Sequence, residues 1–223
     1  MSVVGHGPWE EAYLRFETPE QEIRKFHKRL TQLGACAWPR DAEVVELFCG
    51  RGNGLHALEK LGFTRIEGVD LSPSLLTQYS GRAHCSVGDC RQLSFDDRSR
   101  DIVIVQGGLH HLLVLPEDLE RTLAEIHRIL RDDGLLVIVE PWMTPFLAFV
   151  HAVSRVRLAR KLSAKVDAFA IMTEHELVTY EAWLGQPQLV RTALDRRFLP
   201  QIARTSWGKL RYVGRKRMVV SRS

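Results

Sequence analysis

The sequence predicts one α/β domain: a doubly wound, mostly parallel seven-stranded sheet that carries helices on both faces and ends in an antiparallel hairpin. Short apolar, β-branched runs alternate with stretches of helical period between Asp41 and Pro141, and near-continuous apolar runs are those of parallel strands buried on both faces. The 223 residues are what a single core holds. A composition of 45% apolar and 26% charged residues excludes disordered chains, collagen and disulfide scaffolds.

In chain order, residues 1–40 form a helical lead-in. Met1 to Glu11 has no basic start, apolar run or small-residue cleavage site, so no export signal is expected and the cytoplasm is the expected location. Thr18-Pro19-Glu20-Gln21 reads as a helix opening with N-cap, first-turn proline and capping-box partner, the helix running towards Leu33-Gly34. The core, 41–141, begins with a strand over Glu43–Phe48, the glycine cluster Cys49–Gly54 and a helix over Leu55–Leu61. The alternation continues with a strand over Arg65–Val69, a helix from Ser72, and strands near Ala83–Val87 and over Asp101–Val105. A helix from about Pro116 to Arg131 and a strand over Leu135–Val139 complete it. Residues 142–172 read as a helical insertion or lid, Pro145 to about Lys165 being one long helical stretch. In 173–223 a last helix, Thr173–Leu184 with Thr173 and Glu176 as a capping box, precedes a hairpin of Gln188–Phe198 and Lys209–Val220.

Charge and cysteine content narrow the function classes. Lys and Arg number 31 against 27 Asp and Glu, a net +4 that makes no case for nucleic acid, and no DNA partner is expected. The longest apolar stretch, Pro145–Val153, contains His151 and is followed by Arg155 and Arg157, too short and too charged to span a bilayer. Cys36, Cys49, Cys85 and Cys90 have no metal-ligand spacing, so they read as buried thiols and no metal site is expected.

In an open parallel sheet the ligand sits beyond the carboxyl ends of the strands, near the switch point, which directs attention to the loop after the first strand. Gly50, Gly52 and Gly54 lie there, where glycines let a ligand approach the main chain. Glu46, beside that loop, repels a pyrophosphate but attracts an ammonium, so the expected ligand is zwitterionic or cationic. Asp70 ends the second strand, where a carboxylate accepts from ribose hydroxyls, and Asp89 follows the third, in reach of an adenine amine.

With these residues in this order, Asp41 to Pro141 resembles the class I S-adenosylmethionine-dependent methyltransferases, in particular their small-molecule members. Glu46–Gly54 is similar to the family's acidic-x-G-x-G-x-G loop, Val69-Asp-Leu-Ser72 to its ribose-binding strand end, Gly88-Asp-Cys90 to its adenine contact, and Ile129–Val137 to its helix-turn-strand element. The resemblance implies a Rossmann-like fold and S-adenosylmethionine as cofactor, leaving S-adenosylhomocysteine. It also implies a set of contacts: Glu46 for the methionine ammonium, Asp70 and Leu71 at the ribose, Asp89 and Cys90 at the adenine, and Gly50, Gly52, Gly54 and Gln106 lining the cradle. Phe48 departs from the pattern, standing where the first glycine is usual, and leaves the cradle to the later glycines.

The acceptor side starts at the end of the fourth strand, Val105-Gln-Gly-Gly-Leu-His-His111. Methyl transfer from an activated donor requires alignment and, for a hydroxyl or acidic carbon, removal of a proton; His110 or His111 supplies a base there or shapes the pocket. Glu140, at the fifth strand's end, orients the acceptor or starts the next turn. The string is not Asn/Asp-Pro-Pro-Tyr, which disfavours planar nitrogens as acceptors. On the insertion, Phe146, Phe149, Val150 and Val153 form an apolar set, and His151, Arg155, Arg157, Arg160, Lys161 and Lys165 a basic one. That basic set is either a solvated face or a lid that favours an anionic acceptor. Tyr180 and Trp183 read as core anchors. The expected function is methyl transfer to a small-molecule acceptor, O- or C-directed; the competing readings are a nucleotide-cofactor oxidoreductase and a non-catalytic ligand- or RNA-binding module. Oligomeric state is not legible.

Overall fold

A computed structural model describes residues 8–218, with side chains from residue 11. Its sheet has seven strands: β1 (Glu43–Leu47), β2 (Arg65–Asp70), β3 (His84–Val87), β4 (Arg100–Gln106), β5 (Leu130–Pro141), β6 (Phe198–Ser206) and β7 (Lys209–Lys216). The order is β3-β2-β1-β4-β5-β7-β6, parallel through β5 and antiparallel at the β5–β7 and β7–β6 pairs. Chain direction reverses its progress across the sheet between β1 and β4, so the loops after those strands open a crevice there.

Ten helices surround the sheet: α1 (Pro8–Phe16), α2 (Pro19–Gln32), α3 (Asn53–Lys60), α4 (Pro73–Leu76), α5 (Glu117–Ile129), α6 (Pro145–Ser154), α7 (Arg157–Leu162), α8 (Ala164–His175), α9 (Leu177–Gly185) and α10 (Pro187–Arg197). Alternation along the strands feeds two cores. Val45, Leu47, Val103, Val105, Leu136 and Ile138 face α5, α9 and α10, while Val44, Ile102, Ile104, Val137 and Val139 face α2 and α3. The doubly wound sheet is thus as expected. The Thr18 capping box at α2 forms with both of its hydrogen bonds.

The C-terminal third departs from expectation. Gln188–Arg197 is helical, not a strand, because Pro187 sits in the first turn and Val190, Ala193 and Leu194 recur on one buried face. The hairpin is instead β6 with β7. Only Phe198 of β6 is buried, so this edge strand has no apolar alternation to read; the expected strand residues Val219 and Val220 lie outside the described residues. Thr173 opens no helix: its hydroxyl donates back to the carbonyls of Phe169 and Ala170 inside α8, and the helix break falls at Glu176. The expected long insertion helix is broken into α6, α7 and α8, capped at Thr144 and Ser163. A boundary at 173 therefore cuts α8.

Candidate active site

The turn from β1 into α3 is built around a buried carboxylate. Glu46 lies under the loop and accepts from Gln106 Nε2 at 3.1 Å, while its Oε2 and the Gln106 Oε1 have no hydrogen-bond partner. Burial raises the Glu46 carboxyl to about 8, against the Gln106 hydrogen bond, with the charge of Glu22 adding to the rise. Gly54 makes room for it: a Cβ there would stand 2.1 Å from both Glu46 oxygens. Gly52, at φ +80°, has the Tyr79 ring 2.2 Å from an added Cβ, and Gly50 turns at φ +53°. Phe48 also takes positive φ, 57°, and its ring fills the space that Gly108 leaves, where an added Cβ would come within 2.2 Å. The glycine expected at position 48 is thus compensated by a glycine across the cleft.

Asp70 ties the loop together. Its Oδ2 accepts from Gly50 N and its Oδ1 from Ser72 N, at 2.8 and 2.9 Å, leaving further lone pairs on each oxygen. Leu71 is 60% exposed beside it. Asp89 is already engaged by Arg91, whose Nε and Nη2 reach its carboxylate at 2.7–3.1 Å; these hydrogen bonds hold it below the usual carboxylate range. The Cys90 thiol is buried, 3.5 Å from Thr122 Oγ1.

After β4 a 3-10 turn, Leu109–His111, swings both histidines to the crevice. Glu140, fully buried, fixes that turn: Oε1 accepts from the amides of Gly108 and Leu109, and Oε2 from His110 Nδ1 at 2.8 Å. The far nitrogen of His110, Nε2, lies 3.5 Å from Glu176, and His111 Nδ1 lies 3.9 Å from the same carboxylate. Burial alone lowers the His110 pKa, but the hydrogen bonds and charges of Glu140 and Glu176 outweigh it, so His110 is raised above an ordinary imidazole. Glu140 is lowered: burial works the other way, but the His110 contact and two amides prevail. His111 is lowered, by burial first and then by the His110 charge. The donor atoms of His110, His111 and Glu176 all lie within 4.8 Å of one another, close enough to share one proton or one metal ion, although the sequence spacing gave no metal site.

One cavity of about 1290 Å³ joins these groups. Glu46, Gly50, Asp70, Leu71, Asp89, Cys90, Gln106, His110 and His111 line it. Gly52, Gly54 and Glu140 stand behind the lining, so their part is to shape the loop and hold His110; an acceptor does not touch Glu140. Phe146, Phe149, Val150 and Val153 face inward from α6, as the lid reading expects. Of the insertion's basic set only Lys165 lines the cavity; Arg160 is bound to Asp167 and Glu174, and Arg155, Arg157 and Lys161 are exposed. Trp183 is core, donating to the Pro141 carbonyl at 2.8 Å, whereas Tyr180 lines the cavity with its ring on edge to His110. Sequence reading missed Tyr13, Glu22, Asn53 and Glu176, which tertiary packing brings to the site. Asn53 donates to Glu22 at 2.8 Å and Tyr13 also bonds Glu22.

Comparison with known proteins completes the picture. A family described as a methyltransferase domain matches residues 45–138. The chain is 32% identical over 91 residues to a ubiquinone/menaquinone biosynthesis C-methyltransferase of Citrifermentans bemidjiense, covering 37% of this chain and 37% of that protein. A solved protein of Pyrococcus horikoshii OT3 superposes with TM-score 0.68 at 18% identity, over 96% of this chain and all (100%) of that one. A geranyl diphosphate C-methyltransferase of Streptomyces coelicolor A3(2), solved with Mg²⁺, geranyl-S-thiolodiphosphate and S-adenosyl-L-homocysteine, gives TM-score 0.61 at 14% identity, over 89% of this chain and 77% of that one. The domain match, the curated relatives and the superpositions together support a class I S-adenosylmethionine-dependent methyltransferase. The matched segments span about two fifths of the first curated relatives, 37% and 42% of their lengths.

The cofactor of this methyltransferase family is S-adenosylmethionine, and the site fits it. The orphaned Glu46 Oε2 and Gln106 Oε1 are acceptors in want of a donor, which an α-ammonium is, and Asp70 retains lone pairs where ribose hydroxyls need them.

Proposed function

We propose that the chain transfers a methyl group from S-adenosylmethionine to a hydroxyl or acidic carbon of a small molecule, with His110 taking the acceptor's proton. The observation that carries this is the His110 geometry: one ring nitrogen is fixed on buried Glu140, and the other looks into the cavity beside Glu176. Glu46 and Gln106 hold the methionine ammonium, Asp70 and Leu71 the ribose, Asp89 and Cys90 the adenine; Asp89 reaches an adenine amine with the lone pairs that Arg91 leaves. The bound cofactor supplies a methyl group on an activated sulfonium leaving group. The protein's own work is alignment and a proton path.

His110 acts as a base in the form whose Nε2 carries no proton, with Glu176, 3.5 Å from that nitrogen, as the carboxylate able to take the proton from it. The His110 Nδ1–H stays on Glu140, which holds the ring and stabilises the imidazolium that forms when Nε2 accepts the acceptor's proton. His111, its pKa lowered by burial and the His110 charge, lines the same wall. The apolar insertion shields the acceptor from water. That one curated relative is named a ubiquinone/menaquinone biosynthesis C-methyltransferase and another a demethylmenaquinone methyltransferase supports a carbon target among these. Four free cysteines support work in a reducing compartment, the cytoplasm.

His110→Ala tests the reading. Affinity for S-adenosylhomocysteine stays near wild type while turnover falls by about 10²–10⁴-fold, the usual worth of a positioned base. Wild-type turnover with an unaltered pH–rate profile would leave alignment as the whole catalysis and remove His110 as the base. Binding of NAD in place of S-adenosylhomocysteine, by titration calorimetry, would return the oxidoreductase reading.

A further inference from the structure

Two cations on the cavity wall have no direct ion pair among the described residues, although Glu17 and Glu22 act on Arg29, and Glu140 on Lys209, from a distance. Arg29, on the last turn of α2, and Lys209, the first residue of β7, both line the cavity, and neither side chain makes an ion pair or hydrogen bond to a described residue. Their neighbours are spoken for. Lys25 is bound to Glu17 and lies 3.5 Å from Glu22, and Glu22 also takes Asn53. Arg211, two residues from Lys209 and therefore on the same face of β7, gives one Nη to Ser206 at 2.6 Å and leaves its Nε buried without a partner. Burial, and next to it the charge of Arg29, lowers Lys209 to about 8; burial lowers Arg29 as well. Two like charges drawn together out of water cost stability unless something negative completes them.

The approach to this wall is cationic too. An outer cleft of about 600 Å³ shares Lys25, Arg29 and Trp207 with the main cavity and is otherwise lined by Gln21, Arg24, Lys28, Gln32 and Arg211, with no carboxylate. Such a vestibule steers anions inward. Lys209 is paired in register with Pro141, one residue beyond the Glu140 that holds His110, which puts it on the strand beside that carboxylate. The same cavity has an apolar wall that includes Phe26, Phe146, Phe149, Val150 and Phe169.

We propose that the methyl acceptor carries an oxyanion group which sits on Arg29 and Lys209, its apolar remainder lying along the phenylalanines with the reacting atom at His110. This rests on the methyl-transfer reading above and adds the chemical class of its acceptor. One other oxyanion is available to the same cations, the carboxylate of the cofactor itself, and the test separates the two.

Protein saturated with S-adenosylhomocysteine is titrated with inorganic pyrophosphate by calorimetry at low salt, in wild type, Arg29→Met, Lys209→Met and Lys209→Arg. The expected result is saturable binding to loaded wild type and to Lys209→Arg, weakened about tenfold or more in each methionine variant through loss of a charge-assisted contact. S-adenosylhomocysteine affinity stays within about twofold throughout, since no contact to it is lost. No pyrophosphate binding to the loaded wild type, or equal binding in the methionine variants, overturns the proposal. Methionine variants that lose S-adenosylhomocysteine affinity overturn it by assigning the cations to the cofactor's carboxylate. A wild-type protein that binds no S-adenosylhomocysteine at all overturns the methyl-transfer reading beneath it, a failure seen before any pyrophosphate is added.

Discussion

With the ammonium of the cofactor on Glu46, as proposed, cofactor binding is coupled to a proton. With the Glu46 carboxyl held near 8 by burial, the free protein carries the neutral acid at pH 7, and an arriving ammonium favours the carboxylate. Binding of S-adenosylhomocysteine at pH 7 therefore releases a proton, and affinity rises with pH until about 8. Calorimetry in buffers of different ionisation enthalpy reads that proton directly; an affinity independent of pH would take Glu46 away from the ammonium. Asp70→Ala weakens the same ligand by roughly 1.5–3 kcal/mol, part of it through the freed Gly50 and Ser72 amides. Unchanged affinity in a folded Asp70→Ala protein would remove that residue from the site. His110 is raised by its carboxylates, so the acidic limb of the pH–rate profile lies above the ordinary imidazole value of about 6.5. Glu176→Gln removes one of the two charges that raise it and shifts this limb to lower pH; a limb that stays in place assigns it to another group.

At the level of the element, the β1–α3 turn shows why a glycine is needed for a reason other than ligand access. Gly52 was a candidate to let the cofactor in, yet the space its missing side chain leaves belongs to Tyr79, whose hydroxyl is bonded to Glu59 and to the Ala83 amide. Gly52→Val accordingly abolishes cofactor binding and also lowers the melting temperature, since it displaces Tyr79 and strains a backbone at φ +80°. Calorimetric scanning checks this; lost affinity at an unaltered melting temperature would give the space back to the ligand. Phe48 and Gly108 make the complementary point. The left-handed turn at position 48 persists with a phenylalanine because its ring is accommodated at Gly108, beyond the end of the neighbouring strand β4.

For the molecule as a whole, the cavity is a junction of α2, the β1 and β4 loops, the insertion and the β6–β7 hairpin, and its cationic end is held at a cost. Lys209→Met, which removes a half-buried charge with no ion pair among the described residues, raises the melting temperature of the unliganded protein at pH 7 by about 1–3 °C. The sign follows from the lowered pKa: between about 8 and the unfolded value the unfolded chain binds more protons, so wild-type stability rises with pH across that range and the variant's advantage shrinks towards pH 10. A lower melting temperature at pH 7 would mean that the protein itself satisfies the ammonium. Among the described residues no helix is long and apolar enough to cross a membrane, and Phe146, Phe149, Val150 and Val153 of the insertion line the cavity.

The sequence by itself determined what is local or periodic. The βα alternation gave five parallel strands, Thr18 and Gln21 gave the opening of α2, and Glu46, Gly50, Asp70 and Asp89 come together on one cavity because each lies at a strand end whose place the topology fixes. Where the local signal was weak it misled: β6 is an edge strand with one buried residue and no alternation, so the helical α10 before it was read as the strand. Only the tertiary structure decided the rest. Glu140 and Glu176 meet His110 across 30 residues and across a helix break, and so decide its charge. Arg29 and Lys209 come from opposite ends of the chain to share one cavity wall, whereas the basic run on the insertion, legible as a pattern, turns mostly to solvent. The physical reason is that charge and pKa are set by distance and burial, which sequence spacing encodes only within a helix, strand or turn.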